Sequence, residues 1–306
     1  MEKIINEIMN LKIGDVLVNA SLSKYTTYKV GGIAKVLVYP KNTEKLIELM
    51  QLLRKNQIKH FILGNGSNVL FSDNTYDGVI IKLDNFNEIE FNETTIKVGA
   101  GYSLIRLAME AVKHDLAGLE FASGIPGTVG GAIFMNAGAY NSNMAHVVSS
   151  VDVLTDELKV ITLSNEEMEF AYRESILQHK KDYICLGATL KLEYGIREEL
   201  ELIMKDRKLQ RKRTQPLEFP SAGSVFRNST GMFAGKIIED LNLKGYQVGG
   251  AKISEKHANF IINTGNATAS DIKQIIDLVK TKVKEKYNIK LRVEQRLVNW
   301  DKKNEK

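Results

Sequence analysis

The sequence predicts an α+β fold built from two domains. Through residues 1–195, helical patterns and short strands follow one another without the regular strand–helix–strand repeat of a parallel α/β protein. A charge-dense segment then begins at residue 197 and marks a change in composition. Apolar residues make up 43% and charged residues 26% of the chain, a mix that can bury a core in each domain. We predict a first domain over 1–195, with subdomains of about 1–80 and 81–195, and a second over 196–306.

Side-chain spacing predicts the elements of the first domain. Apolar residues at helical intervals predict a helix over 41–55, with Asn42 or Thr43 as N-cap, and another over 103–113, with Ser103 as N-cap. Short apolar runs between polar turns predict strands over 60–63, 79–83, 88–91, 95–98 and 183–194, and a hairpin over 147–154 and 159–163.

The second domain is predicted to be α/β. Residues 197–213 carry acidic residues first and basic residues last, the order that a helix dipole favours. Another helix is predicted over 270–287 and a strand over 289–298. Strand alternation would place Arg292, Glu294 and Arg296 on one face of that strand.

Charge and composition narrow the classes of partner. The formal net charge of +5 is too small an excess to indicate nucleic-acid binding, but it suits an anionic small molecule. The first residues mix acids with apolar side chains, unlike a signal peptide, and the uncharged run 121–145 is too rich in glycine, proline and asparagine for a membrane helix. We therefore expect a cytoplasmic protein without a nucleic-acid or membrane partner. A monomer is also expected, although charge and composition do not bear on this.

Neither cysteine nor histidine suggests a metal or redox site. Cys185, the single cysteine, lies in an apolar run typical of a buried strand, which favours a packed thiol over a reactive one. The five histidines lack metal-ligand spacing, so no metal is expected.

Two glycine-rich segments are candidates for binding a cofactor. Gly64-Asn-Gly-Ser-Asn68 follows an apolar strand, and its glycines can expose consecutive amides to phosphate oxygens, although a plain turn explains the pattern equally well. Residues 122–140 combine many glycines with Pro126 and no charge, which we interpret as a loop lying against a large flat cofactor. A tightly packed core crossing is the alternative for this second segment.

Three further residues are candidates for chemistry. Ser224 lies in a small-residue turn, where a turn-forming or helix-capping serine is the common alternative to a ligand-facing hydroxyl. Glu294 stands between two arginines that can tune its ionisation, or the three can form a surface ion-pair row. Arg173, next to Tyr172, suits bidentate binding of a carboxylate, or a surface ion pair.

Taken together in order, these segments resemble the UDP-N-acetylenolpyruvoylglucosamine reductase family over residues 25–298. The markers are Tyr25-Thr-Thr-Tyr-Lys-Val-Gly-Gly32, Gly64-Asn-Gly-Ser-Asn68, Gly124-Ile-Pro-Gly-Thr-Val-Gly-Gly-Ala132, Met135-Asn-Ala-Gly-Ala-Tyr140, Tyr172-Arg-Glu-Ser175, Gly223-Ser-Val-Phe-Arg-Asn228, Lys244-Gly-Tyr-Gln-Val-Gly-Gly250 and Glu255-Lys-His-Ala-Asn-Phe260. Each marker alone is weak, and their ordered combination is specific.

The resemblance implies a vanillyl-alcohol oxidase-like (PCMH-type) FAD-binding domain and a C-terminal substrate domain whose last residues pack back on the first. It implies non-covalent FAD, NADPH as reductant, and reduction of the enolpyruvyl double bond of UDP-N-acetylglucosamine enolpyruvate in peptidoglycan synthesis. It assigns the proton donor to Ser224 and further catalytic roles to Arg173 and Glu294.

The same resemblance, together with the loops above, gives the expected binding residues. Cofactor contacts are expected from Gly64, Asn65, Gly66, Ser67, Asn68, Gly124, Ile125, Pro126, Gly127, Gly130, Gly131, Ala132, Asn136 and Gly138. Substrate contacts are expected from Tyr140, Arg213, Asn228, Lys256 and His257.

The chain departs from the family pattern at two places. Gln295 follows the proposed catalytic glutamate where the family commonly has valine, and Ser229-Thr230 stands where a proline-containing turn is common. Neither departure involves a proposed catalytic atom, so tuning rather than loss of activity is expected. The short interval from Arg173 to Arg213 indicates the class of the family that lacks an extra substrate-covering loop.

Two other functions remain open on these residues. One is another FAD-dependent oxidoreductase of the same fold; such enzymes often attach FAD through His or Cys, and neither glycine-rich segment contains one. The other is a non-catalytic nucleotide-sugar binding protein, which would be colourless and would not oxidise NADPH.

Overall fold

The computed structural model describes residues 1–180, 182–228 and 231–300; Ser229 and Thr230, the second departure from the family pattern, lie outside them. The chain forms two compact units. Unit 1 comprises Met1–Val18, Lys35–Asn65 and Asp77–Leu209, and unit 2 comprises Asn19–Ala34, Gly66–Tyr76 and Gln210–Lys306. Unit 2 therefore combines residues 19–34 and 66–76 with the C-terminal segment. The predicted domains 1–195 and 196–306 are instead contiguous and were defined by expected function. That functional division stays a prediction.

The helices are short to medium in length, and the longest lie in the C-terminal half. Their bounds are α1 (Glu2–Asn10), α2 (Thr43–Lys55), α3 (Leu104–Lys113), α4 (Val129–Phe134), α5 (Arg197–Thr214), α6 (Ala234–Asp240) and α7 (Ala269–Tyr287). Single 3₁₀ turns occur at Leu22–Lys24, Glu120–Ala122, Met144–His146 and Ile176–Gln178.

Most strands are also short. Those of the first half are β1 (Gly14–Ser21), β2 (Ile33–Pro40), β3 (His60–Ile62), β4 (Val69–Phe71), β5 (Tyr76–Ile81), β6 (Ile89–Asn92), β7 (Thr95–Gly99), β8 (Leu116–Ala117), β9 (Gly138–Ala139), β10 (Ser142–Asn143) and β11 (Val148–Leu154). Those of the second half are β12 (Val160–Ser164), β13 (Ile184–Lys191), β14 (Glu193–Tyr194), β15 (Gln247–Val248), β16 (Ala251–Ile253), β17 (Ile261–Asn263) and β18 (Arg296–Val298).

Unit 1 contains a four-stranded sheet of order β1-β2-β5-β3 and a five-stranded sheet of order β12-β11-β13-β7-β6. The five-stranded sheet is antiparallel throughout, while β3 and β5 run parallel. Apolar side chains from α2, α3 and these sheets form one core, in which Leu46, Leu107 and Val151 are fully buried. Burial of this apolar surface is the main stabilising contribution to the unit.

Unit 2 is built around α7. The helix buries Ile272, Ile276 and Val279 in a second core that also contains Tyr28 and Phe226. The antiparallel sheet β15-β16-β17 and the parallel pair β18-β4 complete the unit.

Several sequence predictions are confirmed. The α+β class is correct, the predicted helices begin and end within two residues of the observed ones, and Asn42 and Ser103 accept hydrogen bonds from Lys45 N and Arg106 N as N-caps. Cys185 is buried, and that burial raises the pKa of its thiol to about 12.

Among the described residues, no helix combines the length and the apolar character needed to cross a bilayer.

Two element predictions are wrong. The run 121–145, predicted as a loop, contains α4, because Thr128 caps a short helix by accepting from Gly131 N. The strand predicted over 289–298 is confined to Arg296–Val298, with an isolated bridge from Val293 to Phe226. The backbone changes partner after residue 294, so Gln295 is buried and the predicted alternation ends there.

Candidate functional site

The loop 64–67 presents main-chain amides that the protein does not use. Within the described residues, no hydrogen bond joins the amides of Gly64, Asn65, Gly66 or Ser67 to a protein acceptor. Asn65 is exposed, and Ser67 is half-buried. Uncommitted consecutive amides of this kind suit phosphate oxygens, as the sequence predicted for this segment.

The glycines of this loop are required by local packing. A Cβ on Gly64 would lie 2.7 Å from Thr128 Oγ1. Gly66 has φ +65° and any side chain there would collide with the Tyr25 carbonyl oxygen. The two interpretations of this segment, a plain turn and a phosphate-binding loop, are therefore compatible. The glycines allow a tight turn, and the turn leaves the main-chain amides without protein acceptors.

A buried lysine that was not predicted lies beside this loop. Lys82 Nζ donates to the Gly64 carbonyl oxygen at 2.9 Å and lies 3.2 Å from Asp84 Oδ1. Only 7% of its side chain is exposed. Asp84 offsets part of the charge of Lys82, and the remaining positive potential lies beside the Gly64 carbonyl. The sequence offered no signal for this role, because Lys82 stands in an ordinary strand-like run.

The second glycine-rich segment is partly packed and partly open. Gly130 faces Ala100, whose Cβ would lie 2.9 Å from an added Cβ. By contrast, nothing lies within 4 Å of a Cβ built on Gly127, and Gly131 would meet only Thr128 Oγ1 at 3.3 Å. Gly124 lies in the turn that precedes this stretch, and Ala132 lies in α4. Between them, Ile125 is half-buried and Pro126 is exposed. This stretch carries no acidic side chain, so nothing in it repels an anion. The residues therefore fit a dinucleotide such as FAD.

Arg173 lies close to the end of the same segment. Its Nη2 donates to the Gly138 carbonyl oxygen at 2.9 Å, and its guanidinium stands 5.1 Å from the Tyr172 ring centroid. Arg173 has φ +61°, a left-handed backbone conformation that is uncommon for residues other than glycine. Contacts with surrounding residues must stabilise this conformation. Gln178 does so by donating to the Arg173 carbonyl oxygen at 2.9 Å.

Asn136 is fully committed to holding this region together. Its amide donates to the Ala171 carbonyl oxygen and accepts from Ala145 N, and it is 4% exposed. Its side chain therefore fixes the backbone around residue 136.

Tyr140, predicted to contact substrate, contacts α5 through its side chain. Its hydroxyl donates to the Arg207 carbonyl oxygen at 3.0 Å, and the Arg207 guanidinium lies 4.9 Å from its ring centroid. The residue is 37% exposed.

Ser224 occupies an ordered turn in unit 2. Asn259 binds the backbone on its C-terminal side: Asn259 Nδ2 donates to the Phe226 carbonyl oxygen at 2.8 Å and its Oδ1 accepts from Phe226 N at 3.0 Å. Val225 N donates to the Asn259 carbonyl oxygen at 2.9 Å. Asn259 was not predicted as a functional residue, although it stands in a marker of the family; an isolated asparagine carries no periodic signal.

The Ser224 hydroxyl itself is uncommitted. It forms no hydrogen bond with the residues that the structure describes, and it is half-buried. The turn-forming and helix-capping alternatives both require such a bond. A partly desolvated hydroxyl held on a fixed backbone is suited to donating a proton to a ligand.

Part of the predicted cofactor loop, Ser67 and Asn68, lies beside Ser224 and Glu294 in unit 2. A Cβ on Gly223 would lie 4.0 Å from the Ser67 carbonyl oxygen. Asn68 Nδ2 donates to the Glu294 carbonyl oxygen at 3.3 Å, and Glu294 N donates to the Val225 carbonyl oxygen at 2.8 Å. Ser67, Asn68, Ser224 and Glu294 are thus neighbours.

The remaining substrate candidates are more dispersed. Arg213 is exposed in the last turn of α5, and Lys256 Nζ pairs with Glu218 at 3.3 Å. Asn228 accepts from Ala234 N at 3.0 Å at the start of α6. His257 Nδ1 accepts from Asn259 N at 3.2 Å, and burial lowers the pKa of its imidazole. At neutral pH this leaves His257 Nε2 as a donor.

No group of three His, Cys, Asp or Glu side chains in the described part of the chain is arranged to hold a metal ion.

Two family profiles match the chain. The profile described as UDP-N-acetylenolpyruvoylglucosamine reductase, C-terminal domain, matches residues 215–298. The profile described as FAD binding domain matches residues 34–164. Between them they include Ser224, Glu294 and both glycine-rich segments.

Curated relatives match along almost the whole chain. The UDP-N-acetylenolpyruvoylglucosamine reductase of Caldanaerobacter subterraneus subsp. tengcongensis is 48% identical, covering 94% of this chain and 95% of its own. Those of Anoxybacillus flavithermus and Bacillus subtilis are each 44% identical, covering 97% of this chain and 99% of theirs.

Solved structures give the same result. The UDP-N-acetylenolpyruvylglucosamine reductase (MurB) of Thermus caldophilus aligns with a TM-score of 0.79 at 34% identity, over 93% of this chain and 98% of its own. The glucose dehydrogenase Phl p 4.0202 aligns with a TM-score of 0.50 at 14% identity, over 64% of this chain and 44% of its own, which is a likeness of fold alone.

Proposed function

Since this chain belongs to the UDP-N-acetylenolpyruvoylglucosamine reductase family, we propose that Ser224 donates the proton in that family's reaction. The protein is an FAD-dependent oxidoreductase that converts UDP-N-acetylglucosamine enolpyruvate to UDP-N-acetylmuramate in peptidoglycan synthesis. The observation that carries the role of Ser224 is its uncommitted, half-buried hydroxyl beside Ser67 and Glu294.

Two loops are the proposed binding elements for FAD. The uncommitted amides of 64–67 and the positive charge of Lys82 are suited to the pyrophosphate. The open backbone at Gly127 and Gly131 allows close approach of a flat group. When bound, FAD supplies the hydride for the double bond of the substrate, and NADPH is the proposed source of that hydride.

Ser224 completes the reduction. Hydride addition to the terminal carbon leaves carbanion character on the adjacent carbon, conjugated to the substrate carboxylate. The Ser224 Oγ proton moves to that adjacent carbon, and solvent restores the proton to the serine. A serine hydroxyl is a weak acid, but the carbanion it meets is a strong base.

Arg173 and Glu294 are the proposed stabilisers of the enolate charge. The planar guanidinium of Arg173 matches a carboxylate with two parallel hydrogen bonds, which strengthen as charge builds on the carboxylate oxygens. Glu294, adjacent to the Ser224 turn through the Glu294 N to Val225 O hydrogen bond, is proposed to position or protonate that group.

UDP recognition is assigned to a set of polar and aromatic side chains. Tyr140 offers a partly exposed ring for stacking, and His257 offers Nε2 as a donor. Arg213, Asn228 and Lys256 are the further proposed contacts. We also propose that 1–195 serves FAD binding and 196–306 substrate binding, and that the enzyme acts as a cytoplasmic monomer.

Replacing Ser224 tests the proposal most directly. The variant Ser224→Ala is expected to keep FAD and to be reduced by NADPH at the normal rate, because neither step uses the hydroxyl. Reoxidation by the enolpyruvyl substrate, followed by stopped-flow absorbance of the flavin, should slow by about 10²–10⁴-fold, the usual contribution of a positioned acid.

The matched control is Ser221→Ala, which removes a hydroxyl from the same segment and should leave both half-reactions unchanged. Normal reoxidation in Ser224→Ala would remove the proton-donor assignment. A folded wild-type protein that neither retains nor takes up FAD, judged by its visible spectrum, would overturn the cofactor assignment as well.

A further inference from the structure

Gln295 stands directly after Glu294 and is buried, with 3% of the residue exposed. Its Nε2 donates to the Ala222 carbonyl oxygen at 3.0 Å and to the Gly223 carbonyl oxygen at 3.3 Å. Both carbonyls lie immediately before Ser224. Since a carbonyl oxygen can only accept, these two partners fix which end of the Gln295 amide faces the turn.

Tyr28 binds the other end of the same amide. Its hydroxyl donates to Gln295 Oε1 at 3.1 Å, and the residue is fully buried. Burial raises the pKa of this hydroxyl well above its usual value, so it remains a donor at any physiological pH. Asn263 Nδ2 in turn donates to the Tyr28 carbonyl oxygen at 2.9 Å. Gln295 is therefore held at both ends in the core of unit 2.

Gly223 shows why this arrangement matters for Ser224. It has φ +72°, a left-handed conformation available to glycine, and its carbonyl belongs to the peptide that leads into Ser224. A flexible residue at this point lets the following peptide rotate. The bond from Gln295 Nε2 restrains that rotation on the N-terminal side, as Asn259 restrains Val225 and Phe226 on the C-terminal side.

We propose that Gln295, oriented by Tyr28, is a positioning residue that sets the direction of the Ser224 hydroxyl. This inference rests on the proposed proton-donor role of Ser224. Gln295 does not touch the reacting atoms; it acts through the 222 and 223 carbonyls.

The variant Gln295→Met tests the proposal, because methionine has a similar length and apolar character but cannot donate. Reoxidation of the NADPH-reduced holoenzyme by substrate should slow by about tenfold to a hundredfold, since small displacements of a reacting group have effects of that order. FAD content and the rate of reduction by NADPH should not change.

The solvent deuterium isotope effect on reoxidation separates positioning from simple destabilisation. It should increase in Gln295→Met, because a misdirected hydroxyl makes proton transfer slower relative to the other steps. Thr268→Ala is the control for stability: it removes the cap of α7 in the same unit and should lower the melting temperature without changing the reoxidation rate or the isotope effect.

Tyr28→Phe provides a second, milder variant. It leaves both donations from Gln295 Nε2 possible but removes the bond that orients the amide, so reoxidation should slow by less than in Gln295→Met. If the two residues act as one unit, the double variant should be no slower than Gln295→Met alone.

The outcomes distinguish this inference from the proposed function. Slow reoxidation in Ser224→Ala together with a wild-type rate in Gln295→Met would overturn the positioning role alone. If Gln295→Met does not fold, a wild-type rate in Tyr28→Phe would have the same meaning. A wild-type rate in Ser224→Ala would overturn both. A lowered melting temperature in Gln295→Met with unchanged kinetics would show that the side chain serves stability only.

Discussion

Asn259 and Lys82 show what a single residue contributes beside the reacting groups. Asn259 uses both ends of its amide to bind Phe226, and Lys82 brings a buried charge to the carbonyl of Gly64. Both side chains bind main-chain atoms. Asn259 therefore fixes the backbone that follows Ser224, and Lys82 fixes the backbone of the 64–67 loop. Changes at such residues are expected to alter reaction rates through geometry.

Arg173 allows a prediction about charge and shape. Arg173→Lys keeps the positive charge but loses the planar pair of donors, so we expect reoxidation by substrate to slow by about 10²–10³-fold, as when one donor to a developing oxyanion is removed. Stopped-flow absorbance of the flavin measures this step. Arg106→Lys, an exposed position on α3, is the control and should have the wild-type rate. An unchanged rate in Arg173→Lys would indicate that the arginine serves only to hold Gly138.

His257 allows a prediction about pH. Burial, helped by the charge of Lys244, lowers the pKa of His257 in the folded protein below its usual value of about 6.5. The unfolded chain therefore binds the proton first, and the contribution of His257 to stability is complete above about pH 6.5 and is lost as the pH falls toward the folded pKa.

The NMR titration of the His257 imidazole should accordingly have its midpoint below about 6.5. His257→Gln should reduce the loss of unfolding free energy between neutral and mildly acidic pH, measured by urea denaturation. A midpoint at or above the usual value would contradict the assignment of a buried neutral ring.

Sequence could propose roles for Ser224, Arg173 and Glu294 only through the ordered family markers, because each alone suits a common structural role. It could not identify Asn259 or Lys82 as support for the site. Their partners are carbonyls and amides distant in sequence, and main-chain partners leave no trace in side-chain patterns. Gln295 was noticed as a departure, but its contacts with the Ser224 turn required the structure.

At the scale of elements, α7 illustrates how well local rules predict structure. Its apolar residues recur at helical spacing, Thr268 and Asp271 form a capping box, and Asn288 ends the helix in a left-handed conformation. Asp73 adds acceptors for the amides of Ala269 and Ser270. All but the last of these features are local in sequence, which explains why the helix was predicted within one residue.

Thr268→Ala should lower the free energy of unfolding by about 1 kcal/mol, since the side-chain bond to the Asp271 amide is lost. Chemical denaturation followed by circular dichroism at the helix band measures the change. Thr281→Ala, at an exposed position of the same helix, should be nearly neutral. Equal stability of Thr268→Ala and wild type would mean that Asp73 alone is a sufficient cap.

The segment 289–298 shows where local rules fail. Its alternating charges predicted one continuous strand, but residues 292 and 294 bond to the turn around Ser224, while Arg296 N donates to the Asn68 carbonyl oxygen. Two different partners in succession place a bend at Gln295. Which partner a strand meets depends on the rest of the chain, so spacing alone could not have predicted the interruption.

At the scale of the whole molecule, the two compact units are interleaved in sequence. Unit 2 takes residues 19–34 and 66–76 from the first quarter of the chain, and they supply Tyr28 and Leu70 to its core and β4 as the partner of β18. A contiguous C-terminal piece would lack all three contributions.

A fragment of residues 210–306 is therefore expected not to fold cooperatively, although the C-terminal family profile lies inside it. Its thermal melt, followed by circular dichroism, should lack the sharp transition of the full chain. The full-length protein is the control. A sharp transition in the fragment would show that residues 19–34 and 66–76 are dispensable for the unit.

The interleaving also sets an order of events on the ribosome. Ser72 accepts a hydrogen bond from Asn299, 227 positions later, and the apolar strand Val69–Phe71 pairs with Arg296–Val298. At a synthesis rate of about 5–20 residues per second, Val69–Phe71 emerges roughly ten seconds or more before its partner exists. During that interval the nascent polypeptide exposes an apolar strand without its partner, which ribosome-associated chaperones can bind. A chain that terminates before Arg296 keeps this strand unpaired and is expected to aggregate.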